Sequence, residues 1–217
     1  MQEVLKFLTA LSKNNNKDWF DKNKATYTAA KAFYQGEVAK IIAGCGKFDP
    51  AVADLDPAKC LFRINRDVRF SKDKSPYKTN FGAIISPGGK NAEMAGYYVH
   101  IEPGKSFVAA GSHMPMPDYL QAIRQEIDYN AAEFRKILKA KDFVSNYKEL
   151  VQEGALKNAP KGFEKDSPNL DLLRLKEFIV VKKISDKEIL SKTFTADVAK
   201  SFKAALPLNQ FLRRVKD

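Results

Sequence analysis

The feature that most constrains this fold is a change of apolar period partway along the chain. Val4, Phe7, Leu8 and Leu11 fall at i, i+3, i+4 and i+7, the spacing that lines one face of a helix. Beyond Asn14-Asn15-Asn16, a second helical region is expected from Asn16 to Gly44. Its stripe would hold Tyr27, Ala30, Phe33, Tyr34, Val38, Ile41 and Ile42. Gly44 and Gly46 should end it, because glycine tolerates the left-handed geometry common at helix ends. Trp19, the only tryptophan, reads as a core anchor. From Lys59 the period becomes two. Cys60 to Asn65 would place Phe62 and Ile64 on one strand face and Arg63 and Asn65 on the other.

Further strands are expected at Phe81 to Ser86, at Tyr97 to Glu102 and Lys105 to His113 around a Pro103-Gly104 turn, and at Phe178 to Ile184. Helices are expected from Met116 to about Tyr129 and from an Asn130/Glu133 capping box onward. Another follows at about 141 to 151, and a further one after Ser167-Pro168. The remainder to Val215 reads as helical, interrupted near Pro207. Helices, then clustered strands, then helices with one more strand describe an α+β fold. One domain over residues 1–217 is expected, with a mostly antiparallel sheet of four to five strands flanked by N- and C-terminal helices.

Composition narrows the class of protein. With 15 Phe, 8 Tyr and 44% apolar residues the chain has enough to bury a sizeable core, which argues against disorder. Cys45 and Cys60 stand in no zinc or disulfide spacing, so no metal is expected. The N-terminal residues carry an early acid and no uninterrupted apolar core, so no signal peptide is expected. No apolar run approaches the ~18 residues of a membrane span. A cytoplasmic protein without a membrane partner is the expectation. No phosphate-cradling glycine loop, dinucleotide fingerprint or nucleophile elbow occurs, and the sequence leaves any cofactor unknown.

The net charge of +11 favours anionic partners. It is concentrated between Lys59 and Asn80, where seven basic residues face two acids. There Arg63, Arg66, Arg69 and Lys74 form a candidate anion site, because guanidinium forks match phosphate or carboxylate geometry. Asp67 would orient one arginine, and Tyr77 or His100 would transfer a proton. Two other readings stay open: the arginines pair with Asp67 and Asp73 and pin a loop, or the segment tracks nucleic-acid phosphates together with Lys157, Lys161 and Lys165.

The order Arg63-x-x-Arg66-Asp67-x-Arg69-Phe70-x-x-x-Lys74-x-x-Tyr77 resembles the shared motif of domain-of-unknown-function family 2461. The resemblance extends through Gly96 to Gly104, Ala159 to Phe163 and Leu172 to Lys176, and so over most of the chain. It implies no particular activity. His100 shares a strand face with Tyr98 and Glu102, a polar wall suited to a pocket, although direct bonds between i and i+2 neighbours are not expected. His100, His113 and Glu102 lack metal-ligand spacing.

Overall fold

Apolar stripes settle the first two layers. The computed structural model describes residues 1–216. Helix α1 (Gln2–Lys13) buries Val4, Phe7, Leu8 and Leu11 along one face, as their spacing requires. Asn16 then caps α2 (Lys17–Lys22) by accepting the Trp19 amide. The single helix expected from Asn16 onward is broken at Asn23. Its side chain donates to the Trp19 carbonyl and competes with the helical ladder. Trp19 is partly buried against the core, near Phe7.

Helix α3 (Lys24–Gly46) ends at Gly46, as expected, but neither Gly44 nor Gly46 has the positive φ expected of a glycine stop. Gly44 serves close approach instead. A Cβ there would lie 2.9 Å from Ala199 Cβ on the C-terminal helix. Phe33 departs from the expected stripe and stands 49% exposed.

Four strands form one antiparallel sheet in sequence order: β1 (Phe81–Ile85), β2 (Gly96–Ile101), β3 (Phe107–Ser112) and β4 (Phe178–Lys183). The β2–β3 turn is the expected hairpin, with Gly104 at φ +72° and the Lys105 amide bonded to the Glu102 carbonyl. Cys60 to Asn65 does not form the expected fifth strand. Short α4 (Pro57–Cys60) ends there, and only isolated bridges, Leu61 to Ala83 and Asn65 to Tyr77, continue toward β1. Leu61 and Ile64, three apart, are the buried pair, whereas Phe62 points out. The period read as two is that of an irregular arm.

Between β3 and β4 the chain makes α5 (Pro117–Tyr129), α6 (Ala131–Leu138), α7 (Lys141–Tyr147) and α8 (Leu170–Leu173). Asn130 does not make the expected side-chain cap, and its amide donates to Glu126. Ser167 accepts from the Asn169 amide just outside α8. The complete capping box occurs at Ser185 and Glu188, opening α9 (Asp186–Ile189).

Helix α10 (Phe194–Arg213) passes through Pro207 without the expected interruption. Pro207 faces solvent, while Phe202, Ala205, Leu208, Phe211 and Leu212 around it are buried. Their packing holds the turn despite the lost hydrogen bond.

The pleat sorts the sheet into two faces. Phe81, Ala83, Ile85, Tyr97, Val99, Ile101, Val108, Ala110, Phe178 and Val180 are all buried, and this face packs on α3 and α10. One buried cluster runs from Val4 to Leu212, consistent with a single α+β domain. A buried polar knot ties it together: Arg213 pairs with Asp49 at 2.9 Å, and Tyr97 donates to the same carboxylate at 2.8 Å. On the other face Ile84, Tyr98, His100, Phe107, Ile179 and Val181 are only half-buried.

Candidate functional site

Alternation along the strands places Ile84 on β1, Tyr98 and His100 on β2, Phe107 and Ala109 on β3, and Ile179 and Val181 on β4 together on the open face. These residues floor a concavity of about 750 Å³. Its walls include Phe62 and Lys78 from the arm before β1, Lys90 from the β1–β2 loop, and Met114 and Met116 after β3. Phe62, Met114 and Met116 are among the exposed large apolar side chains of the molecule, so apolar surface gathers around this hollow.

Three polar side chains form a chain along β2. The Tyr98 hydroxyl lies 3.1 Å from His100 Nδ1, and His100 Nε2 lies 3.2 Å from Glu102 Oε2. Thr79 donates to the other carboxylate oxygen at 3.0 Å. A carboxylate only accepts, so His100 carries its proton on Nε2, and Nδ1 accepts from Tyr98. The i, i+2 geometry that was not expected to bond directly does so at both steps. Phe107 stacks on the imidazole with centroids 4.5 Å apart and planes 14° from parallel.

Gly82 makes room for this arrangement. It pairs with His100 across the ladder, and a Cβ on it would lie 2.5 Å from the Tyr98 hydroxyl oxygen. The His100 side chain is only 12% exposed, and burial pulls its pKa below the ordinary value against the opposing pull of Glu102. Burial, with a smaller contribution from Glu102, pushes the Tyr98 phenol up to about 12. At neutral pH both groups are therefore uncharged, and the chain can relay a proton between a ligand and His100.

The arm lines this hollow only through Phe62, Lys78 and Asn80, and the rest of its basic segment lies beside it. Backbone bonds from Phe62 to Gly82, Lys78 to Ile64 and Arg66 to Pro76 fold the arm into an irregular hairpin. Arg66 donates to the Asp73 carboxylate, the Ser75 carbonyl and the Ser71 hydroxyl. Bonds from Ser75, then Arg66, hold the Asp73 pKa down at about 2. Arg69 binds Asp67 through Nε and Nη2 and lowers the Asp67 pKa. Lys74 donates to the Val68 carbonyl at 3.1 Å.

Tyr77 is buried, stacked on Phe20 at 4.0 Å, and its backbone is held by the Asn15 side chain. Of the residues expected to bind the anion or transfer a proton, His100 lines the hollow, whereas Arg63, Arg66, Asp67, Arg69, Lys74 and Tyr77 do not. Arg63 is exposed and lies close enough to depress the Lys78 pKa, after burial as the larger cause. Lys78 in turn sits 5.4 Å from the Phe62 ring centroid.

Lys157, Lys161 and Lys165 are exposed and also lie outside the hollow. His113 pairs with Glu177 at 2.6 Å instead of meeting His100. Among the described residues, no cluster of His, Cys, Asp and Glu is placed to hold a metal. Sequence reasoning grouped Tyr98, His100 and Glu102 through their alternation but left Tyr98 out of the reacting set. Phe62, Lys78 and Gly82 carried no local signal, since their importance rests on what β2 brings next to them.

Fold and surface together describe an α+β protein with a four-stranded antiparallel sheet, helices on one face and a polar chain on the other. The chain belongs to domain-of-unknown-function family 2461, conserved hypothetical proteins, whose family model matches residues 3–211. No curated protein and no solved structure matches it. No helix among the described residues is long and apolar enough to cross a membrane.

Proposed function

We propose that the open sheet face binds a small molecule combining an apolar or aromatic body with a carboxylate or phosphate, and that Tyr98 and His100 exchange a proton with it. The observation that carries this reading is the aligned Tyr98–His100–Glu102 chain opening into a hollow with aromatic walls. A proton leaving the ligand would pass to the Tyr98 oxygen as the phenol's own proton moves to His100 Nδ1, with Glu102 stabilising the imidazolium. Lys78 and Lys90 supply positive charge at the wall, and Arg63 lies near enough to Lys78 to add to it. Arg66, Asp67, Arg69 and Lys74 would shape the arm that presents Phe62 and Lys78, with their donors engaged inside the loop.

A panel of phosphate monoesters and of aromatic and aliphatic carboxylates, read by thermal shift and by amide NMR shifts on β2, tests the proposal. Losing Lys78 removes a charge-assisted bond of about 1.5–3 kcal/mol. Lys78→Ala should therefore weaken a hit roughly tenfold or more, and Arg66→Ala should leave it intact in the folded fraction. A hit that survives Lys78→Ala but is abolished by Arg66→Ala would move the anion site to the loop. A panel without any β2 response would overturn the reading.

A second reading has its own observation. Phe70 is 97% exposed at the tip of the arm, with the Arg69 guanidinium 5.9 Å from its ring centroid and Lys72 beside it. An aromatic ring among cations is a stacking platform for single-stranded nucleic acid. Oligonucleotide affinity that falls steeply with salt and drops in Phe70→Ala would support it; a flat salt response would exclude it.

A further inference from the structure

A second hollow of about 710 Å³ lies on the helical side of the molecule, where α7 and α10 meet the end of β4. Its distinctive feature is Lys182. Alternation on β4 puts Lys182 in register with Phe178 and Val180, whose side chains face the helical layer. A lysine in that register is normally matched by a carboxylate, because a half-buried ammonium loses hydration.

Here the partners are neutral. The Lys182 ammonium donates to Asn146 Oδ1 and to Ser201 Oγ, each at 2.9 Å; among the described residues no carboxylate forms an ion pair with it, although Glu188 is near enough to feel its charge. Asn146 and Ser201 are themselves satisfied: the Asn146 amide donates to the Asp142 carbonyl at 2.9 Å, and the buried Ser201 hydroxyl to the Asp197 carbonyl at 3.1 Å. Two of the three ammonium hydrogens are thus used, and one donor with its full charge is left at the cavity.

The surrounding charges say what kind of anion suits it. Lys200 and Lys203 line the hollow together with Asp142, Glu188 and Asp197, so the lining is balanced rather than a field for a polyanion. Glu188 is occupied by its Ser185 cap and Asp197 accepts from Thr193 at 2.7 Å, which keeps both carboxylates engaged at the rim. Phe194 and Val198 add apolar wall.

We propose that this cavity binds a small zwitterion of the α-amino-acid type, with its carboxylate on Lys182 and its ammonium toward the acidic rim. The site is separate from the open sheet face, and its occupancy does not depend on the proton chain there.

The experiment is an amide NMR titration of the whole chain with alanine, propionate and inorganic phosphate in turn. Alanine should shift Asn146 and Ser201 saturably and more tightly than propionate, with phosphate weakest. Lys182→Gln keeps a hydrogen-bonding group while removing the charge, and should weaken alanine binding about tenfold or more. Tyr98→Phe should leave it unchanged. Phosphate binding tighter than alanine, undiminished binding in Lys182→Gln, or no saturable shift at Asn146 and Ser201 with wild-type protein would each overturn the proposal. The wild-type titration alone decides the matter if Lys182→Gln does not fold.

Discussion

A single methyl group at Gly82 tests the proton chain. Alanine there puts Cβ 2.5 Å from the Tyr98 hydroxyl oxygen and 3.2 Å from Cε2 and Cζ. Ordinary contact begins near 3.4 Å, so the hydroxyl must withdraw by about 0.9 Å, the difference from 2.5 Å. The Tyr98–His100 bond is already 3.1 Å, and such a withdrawal carries it out of hydrogen-bonding range. Gly82 has no positive φ, and alanine is favoured over glycine inside a strand by roughly 0.5–1 kcal/mol.

The free end of the phenol should therefore yield rather than β1, leaving global stability within about 1 kcal/mol of wild type. The bond that is lost stabilises the neutral imidazole, so its loss raises the pH at which His100 protonates. Nitrogen-edited NMR of the imidazoles against pH reads this directly. The chain has only two histidines, and exposed His113 serves as the internal reference. Gly82→Ala and Tyr98→Phe should raise the His100 midpoint together without moving His113. An unmoved His100 midpoint accompanied by a stability loss above about 2 kcal/mol would mean that the strand absorbed the methyl, and the account of Gly82 would be wrong.

Three further outcomes follow from the same geometry. Burial holds the His100 pKa below 6.5, so below that pH the unfolded chain takes up the proton more readily than the native state. This contribution to stability is complete above about 6.5 and is lost as pH falls through the folded value; urea melts across that window should show the slope, and His100→Gln should flatten it. Asp49→Ala leaves the Arg213 guanidinium buried without its carboxylate and should cost about 3–5 kcal/mol in urea denaturation, with Asp49→Asn intermediate. Gly111→Ala forces a side chain onto φ +115° and a Cβ 1.9 Å from the Phe178 carbonyl oxygen. It should cost at least about 1–3 kcal/mol and strip hydrogen-exchange protection from β4 before the rest of the sheet.

The elements whose signal is periodic were legible before folding. The stripe of α1, the β2–β3 hairpin with Gly104 at its turn, and the antiparallel α+β class all follow from spacing alone. The grouping of Tyr98, His100 and Glu102 on one side of β2 follows likewise, because successive strand residues must point oppositely. Periodicity failed where a side chain or a neighbour overrides it. Asn23 splits one helix into two, Pro207 sits inside α10 on its solvent side, and the segment from Cys60 to Asn65 alternates without being a strand.

The basic motif shows the division most clearly. By itself the sequence determined that cations concentrate between Lys59 and Asn80, and that two acids lie among them within reach. Whether those cations face a ligand or each other's counter-ions is a matter of how a loop closes. Tertiary structure decided that Arg66 closes on Asp73 and Ser75 and that Arg69 closes on Asp67. It also decided that the open sheet face, with Phe62 edge-on to Tyr98 and Lys78 on the wall, is the hollow beside them. Charge and period are local properties that a sequence carries outright. The meeting of Gly82 with the Tyr98 hydroxyl depends on strand register and on the conformation of one ring, and these exist only once the chain has folded.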